Sequence, residues 1–237
     1  IGTGARTILL TVAAEALDVS TDDVDLRIGD SALPEAMIAG GSMGTASWTW
    51  VIVKACRALR VLVDVEHEGL VPPQGLSVHA STGDDIAAQP DHARYAFGAQ
   101  FAEARVDVDT GEVRVPRLLG VFAAGRIVNG TLARSQFVGG MTMGLSMALH
   151  EESVMDPEFG DYANHDLAGY HIAANADVLD IDAVWIDEDE PGLGPAGAKG
   201  IGEIGIVGTA AAIAGAVHHA TGIRVRDLPI RLDKLLR

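Results

Sequence analysis

The apolar positions of this chain follow two periods that alternate along its length. Ile8, Leu9, Val12, Ala13, Ala16 and Leu17 recur at helical spacing and predict a helix over about Thr7–Leu17, entered from a glycine turn at Gly2–Gly4. Val24, Leu26 and Ile28 then alternate with Asp25 and Arg27, which predicts a short half-buried strand. A glycine and hydroxyl cluster, Gly40–Ser47, precedes a long helical run through Ile52, Cys56, Leu59 and Val63. The stretch from Gly69 to Asp91 carries Pro72, Pro73 and Pro90 and reads as a loop-rich boundary, with room for a strand near Leu76–Ala80.

In the second half, Ala102, Ala104, Val106 and Val108 alternate with charged residues, Asp109–Glu112 turns the chain, and Val113–Phe122 returns it. This is the strongest hairpin signal present. Gln136–His150 shows a helical stripe of Phe137, Met141, Leu145, Ala148 and Leu149, with Gly139, Gly140 and Gly144 inside it. Each interior glycine costs up to about 1 kcal/mol relative to alanine, so close backbone packing is expected there. Met141, Met143 and Met147 read as core. Tyr162–His165 reads as loop, Ala183–Ile186 as a short apolar strand, and the acidic run Asp187–Glu190 as its solvated end. Ile206–Ala220 reads as an alanine-rich helix. The expected fold is α+β: two subdomains of mixed sheets with packed helices, over residues 1–90 and 91–237, with interleaving allowed.

Composition narrows the function classes. Hydrophobic residues make up 48% of the 237 positions and charged ones 21%, which raises the expectation of a buried interface with another polypeptide. The formal charge of -16 argues against nucleic acid or an anionic membrane as partner. No continuous apolar stretch reads as a membrane span. The single cysteine, Cys56, reads as core filling, and the eight histidines show no metal-ligand spacing. A chain that begins at Ile1 directly in a glycine turn suggests a piece of something larger or a processed chain.

The candidate chemistry lies in the glycine-rich stretches. GPAGAKGIGEIG, Gly194–Gly205, sets one lysine and one glutamate among glycines just before a helix. It fits either a ligand-hugging loop with N–H groups suited to an anion or a tight connection with an exposed carboxylate. The same pair of readings holds for Gly40–Ser47, where Thr45 and Ser47 are also good helix caps.

Five motifs in order resemble the C-terminal half of the molybdenum-binding subunit of the xanthine dehydrogenase and aldehyde oxidase family. They are Gly40–Ser47, Gln136–Gly140, Ala148–Glu152, Gly197–Glu203 and Arg226–Ile230. Phe97–Phe101 and Asp109–Glu112 look like that family too. The resemblance implies molybdenum held by the dithiolene of molybdopterin, often as the cytosine dinucleotide, without a direct protein ligand. By position it assigns Gly2, Thr3, Gly4, Gly41, Ser42, Met43, Gly44, Thr45, Ala46, Ser47, Gln136, Lys199, Gly200, Ile201 and Gly202 to the cofactor shell. Glu203 matches the catalytic glutamate, the base that takes a proton from metal-bound hydroxide, and partial burial would suit it to that role. Lys199 reads as positioning, phosphate-facing or simply exposed.

The implied activity is hydroxylation of an aldehyde or nitrogen heterocycle with oxygen from water. Electrons leave through [2Fe-2S] and FAD partner chains, a companion chain supplies the N-terminal half of the subunit, and the location is cytoplasmic, or periplasmic if a partner carries an export signal. The competing expectation is a non-catalytic binding or assembly module that retains the fold.

Overall fold

The computed structural model describes residues 1–89, 93–190 and 192–236. The fold is α+β and divides into two compact units, Ile1–Ala96 with Ala123–Ala133 and Asp187–Ile201, and Phe97–Phe122 with Arg134–Ile186 and Gly202–Arg237. The subdomain boundary expected at residues 90 and 91 lies outside the described residues.

In the first unit α1 (Ala5–Leu17) packs on α2 (Gly44–Val61). Ile8 and Val12 form a buried cluster with Val53, and Ala16, Val128 and Leu132 close around it. Gly4 leads into α1 at φ 73°, and a Cβ there would lie 2.7 Å from Leu132 Cδ1. The left-handed backbone is what favours glycine here, because the end of the Leu132 side chain could swing aside. α1 ends where Asp18 turns left-handed at φ 60° and the Val19 N–H reaches the Ala14 carbonyl at 3.1 Å. α2 passes into a π-helical turn, Leu62–Glu66, and a short α3 (Gly83–Ala87) follows. Cys56 is half-buried on α2 rather than core, and desolvation raises its thiol pKa.

The strands expected at Val24–Ile28 and Leu76–Ala80 are not formed. Neither stretch joins a sheet among the described residues, although both keep the alternation of half-buried and exposed positions. A strand needs a neighbour for its N–H and C=O groups, and the described part of this chain provides none.

The second unit is built on a three-stranded sheet of β1 (Phe97–Val106), β2 (Val113–Ala123) and β5 (Asp180–Ile186), with β2 in the middle. The predicted hairpin is present. Asp107 closes its turn by accepting from the Thr110 and Asp109 N–H groups at 2.8 and 3.0 Å, which lowers its pKa. α4 (Gly130–Leu149) packs its stripe against β2: Phe122 and Phe137 stack with centroids 4.2 Å apart, over buried Leu118, Met141 and Leu145. Met143 departs from the expected core stripe and is 63% exposed, because it lies off the face that carries Met141 and Leu145. Tyr162, expected in a loop, belongs instead to a two-stranded ribbon in which β3 (Met155–Asp156) pairs antiparallel with β4 (Asp161–Tyr162).

α5 (Ile204–Val207) and α6 (Thr209–Thr221) follow. By length and composition alone Ile204–Thr221 would cross a membrane, contrary to the sequence reading. Gly208 breaks the run between α5 and α6, and only the stripe Gly205, Thr209, Ile213 and Val217 is buried, with α6 packed against β1. That one-sided burial is the pattern of a helix laid on a sheet.

Candidate functional site

In the first unit the Gly40–Ser47 loop forms a tight entry to α2. Gly41 and Ser42 follow each other in the left-handed region, at φ 57° and 59°, and the Met43 N–H closes the turn on the Gly40 carbonyl at 3.1 Å. Met43 occupies the cap position without a side-chain cap bond. Thr45 and Ser47 lie inside the first turn, so the capping role left open for them is not what they perform. The first N–H groups of such a helix have no intrahelical acceptor.

Gly200 presses on this loop: a Cβ there would lie 2.0 Å from the Ser42 carbonyl oxygen. Any side chain at Gly200 would push the two glycine-rich stretches apart. The Gly194–Ile201 stretch is in turn tied to the chain after β2. The Lys199 N–H donates to the Ala124 carbonyl at 3.1 Å, the Arg126 N–H to the Gly197 carbonyl at 2.7 Å, and Gly125 bridges Ala198.

Lys199 is buried, its side chain only 4% exposed, which removes the reading of an exposed lysine. Its Nζ lies 3.0 Å from both carboxylate oxygens of Glu188 and is also paired with Glu190. Glu188 Oε2 accepts from the Gly125 N–H at 2.9 Å. The acidic run is therefore not simply a solvated strand end, because two of its carboxylates turn inward to meet the lysine. Burial works against the ammonium, but hydrogen bonds to Glu190 and Glu188 prevail and hold its pKa above the ordinary value. The Lys199 ammonium, and then the Gly125 N–H, hold Glu188 below its own.

In the second unit Glu203 stands at the entry to α5, with the Ile206 N–H donating to its carbonyl at 3.1 Å. Contrary to the expectation of partial burial, Glu203 is exposed. The backbone just beyond it is clamped. A Cβ on Gly205 would lie 2.6 Å from the Phe137 carbonyl oxygen, and one on Gly140 would lie 2.8 Å from the Gly205 Cα. Gln100 Nε2 donates to the carbonyls of Gly205 at 2.7 Å and Ile204 at 3.3 Å, and Thr209 Oγ1 donates to the Gly205 carbonyl at 2.9 Å. The residue is exposed while the backbone that follows it is fixed from three sides.

Sequence reasoning missed Gln100 and Thr209. A signal existed for the first: Gln100 shares the inward register of β1 with Ala102, Ala104 and Val106, where a polar side chain needs a partner. Among the other expected contact residues, Gly2, Met43 and Gly202 are exposed, whereas Thr3, Ala46, Gln136 and Ile201 are half-buried. The motifs Ala148–Glu152 and Arg226–Ile230 meet: the Ile230 N–H donates to the Ala148 carbonyl at 2.7 Å, and Arg231 pairs with Glu152.

The first unit thus offers backbone N–H groups at the start of an 18-residue helix, beside a loop whose close approach excludes a Cβ. That donor set fits a phosphate-bearing group, including in an acidic protein. No group of three or more His, Cys, Asp or Glu is placed to hold a metal among the described residues.

A family model for the molybdopterin cofactor-binding domain matches residues 1–78 and 73–179. The chain is 40% identical to the aldehyde oxidoreductase molybdenum-binding subunit PaoC of Escherichia coli K12, covering 100% of this chain and 35% of that protein. It is 29% identical to the putative xanthine dehydrogenase molybdenum-binding subunit XdhA of the same organism, over 99% of this chain and 36% of that one. The crystal structure of the aldehyde oxidoreductase from Desulfovibrio desulfuricans superposes with a TM-score of 0.80 at 27% identity, covering 99% of this chain and 27% of that chain. The chain spans about a third of the length of the curated relatives named here. It belongs to the molybdopterin cofactor-binding domain family of the molybdenum-binding subunits of aldehyde oxidoreductases and xanthine dehydrogenases.

Proposed function

We propose that this chain is the cofactor-holding portion of a molybdenum hydroxylase that oxidises an aldehyde with oxygen taken from water. The contact of Gly200 with the Ser42 carbonyl at the start of α2 carries the reading, because it forms a loop pair suited to a phosphate out of two of the family motifs. The aldehyde substrate is supported by the aldehyde oxidoreductase at 40% identity, and a nitrogen heterocycle is the nearest alternative class.

In the first unit Gly41–Ser47 and Gly200–Ile201 would hold the pterin phosphate through N–H groups, with Gly2–Gly4 completing that unit's contacts. The cofactor is molybdopterin with molybdenum, in the cytosine dinucleotide form, and when bound it supplies the two-electron acceptor. Lys199 acts as a positioning residue: committed to Glu188 and Glu190, it holds the loop rather than reaching for phosphate. A Glu203 carboxylate oxygen would take the proton lost by the water-derived oxygen as that oxygen adds to the substrate carbonyl carbon, whose C–H bond would break and pass its hydrogen and electron pair to the cofactor's two-electron acceptor. Gln100 and Thr209 keep the carbonyls after Glu203 from shifting, which fixes where the base stands. The remaining portion of the subunit covers Glu203, and [2Fe-2S] and FAD partner chains carry electrons away in a cytoplasmic complex.

Metal and pterin analysis of the assembled protein tests the reading. Equimolar molybdenum and pterin, with cytidine monophosphate released on acid hydrolysis, is the expected result. Assembled material containing neither molybdenum nor pterin overturns it.

A further inference from the structure

α2 carries two tryptophans two residues apart, both half-buried, and each lies against a glycine of one glycine-rich stretch. Trp48 Nε1 donates to the Met37 carbonyl at 2.9 Å, which ties the segment before the Gly40–Ser47 loop to the helix. A Cβ on Gly44 would lie 3.1 and 3.2 Å from Trp48 Cη2 and Cζ2. Trp50 meets the other stretch. A Cβ on Gly194 would lie 2.9 Å from Trp50 Cε3, 3.0 Å from Cδ2 and 3.3 Å from Cγ. Gly194 does not have the left-handed backbone that favours glycine, so the indole is what excludes a side chain there.

The chain between Gly194 and Gly200 has little slack. The Gly197 N–H closes a turn on the Gly194 carbonyl at 2.7 Å, and the Arg126 and Lys199 N–H bonds tie the same stretch to the chain after β2. Trp50 supports it from α2, the helix whose first N–H groups adjoin Ser42. We propose that Trp50 is a positioning residue of the phosphate cradle: its indole is the stop that sets how far Gly194–Gly200 stands from α2, and so where Gly200 meets Ser42. A rigid ring with two side-chain torsions keeps that distance fixed, which a flexible thioether does not. Trp48 anchors the approach to the Gly40–Ser47 loop on the same helix, so one element supplies the N–H donors and spaces the two stretches around them. The inference rests on the proposal that this cradle holds the pterin phosphate.

Pterin release from the assembled protein, read together with amide hydrogen exchange, tests it. Trp50→Met should release pterin at least about tenfold faster than wild type, and its Lys199 and Arg126 amides should exchange at least about tenfold faster. Trp50→Phe keeps a rigid ring and should stay within about threefold of wild type on both counts. Val53→Ala opens the α1–α2 contact on the same helix, so it should lower the unfolding midpoint while leaving pterin release within about threefold of wild type. Gly194→Ala should speed release at least about threefold, and by less in the Trp50→Phe background, where a smaller ring leaves room for the methyl. Should Trp50→Met fail to assemble, that pair of backgrounds decides. Wild-type release from Trp50→Met, equal effects of Gly194→Ala in the two backgrounds, or release from Val53→Ala as fast as from Trp50→Met overturns the inference. Assembled protein that carries no pterin in any form overturns the proposed function instead. In that material faster Lys199 and Arg126 exchange in Trp50→Met still supports the positioning, and unchanged exchange overturns it.

Discussion

Lys199 and Glu203 belong to one glycine-rich stretch, yet the structure treats them in opposite ways. Lys199, in the first unit, is buried and held between two carboxylates, with its loop bonded to Ala124 and pressed on Ser42. Glu203, in the second, has its following backbone clamped and its side chain exposed. The Lys199 loop is bonded within the first unit, whereas the Glu203 side chain is exposed.

The largest expected effect follows from that difference. Glu203→Gln keeps size and removes the proton acceptor, so turnover of an aldehyde by the assembled enzyme should fall about 100- to 10,000-fold. Because the side chain is exposed, molybdenum and pterin content and the unfolding midpoint should not change, with stability within about 0.5 kcal/mol. Unchanged kcat, or a loss of kcat matched by loss of cofactor, would remove Glu203 from the role of base.

Much of this contrast could be read from the sequence, though unevenly. The helix stripe of α1, the hairpin around Asp109–Glu112 and the close packing at Gly140 and Gly144 follow from period and composition, which are local, but the same expectation fails at Gly139, which faces open space. The glycine motifs marked where the loops would meet, but no pattern in the sequence pairs Lys199 with Glu188 and Glu190, because a charged run looks the same whether it faces water or a buried cation. The strands at Val24–Ile28 and Leu76–Ala80 were misjudged for a related reason: alternation reports a face to be buried, not whether a neighbour is present. Gln100 was within reach, as the one polar residue on the inward face of β1.

The next effect, on the scaffold side, is loss of the buried cation. Lys199→Met leaves Glu188 and Glu190 facing each other and should cost about 3 kcal/mol, the low end for a broken buried pair, because both carboxylates retain some contact with water. Urea unfolding across pH checks it. The lysine's folded pKa lies above its ordinary 10.5, so its contribution is full below that value and lost as pH rises through the folded one. Glu188 titrates below its ordinary 4.5, so its contribution is present above that value and lost as pH falls through the folded one. The wild-type chain should show a plateau between those limits. Lys199→Met should remove the lysine's alkaline decline and shrink the Glu188 decline in acid, leaving the part due to the Gly125 N–H. A variant whose pH profile matches wild type would mean that the ion cluster contributes nothing to holding the loop.

The smallest effect separates two adjacent glycines of α4 and sharpens the picture of how Glu203 is supported. At Gly140 an added Cβ would meet Gly205 backbone atoms at 2.8 and 2.9 Å, and backbone cannot swing aside, so Gly140→Ala should destabilise by about 1–3 kcal/mol. With Glu203 in its proposed role, it should also lower kcat by shifting the segment that carries that residue. At Gly139 nothing lies within 4 Å of the added carbon and the position is exposed, so Gly139→Ala gains only helix propensity. Thermal unfolding should then show stabilisation of up to about 1 kcal/mol, with kcat unchanged. The two substitutions are chemically identical and differ only in what stands opposite, so equal effects from both would show that the α4–Gly205 contact does not fix the position of Glu203.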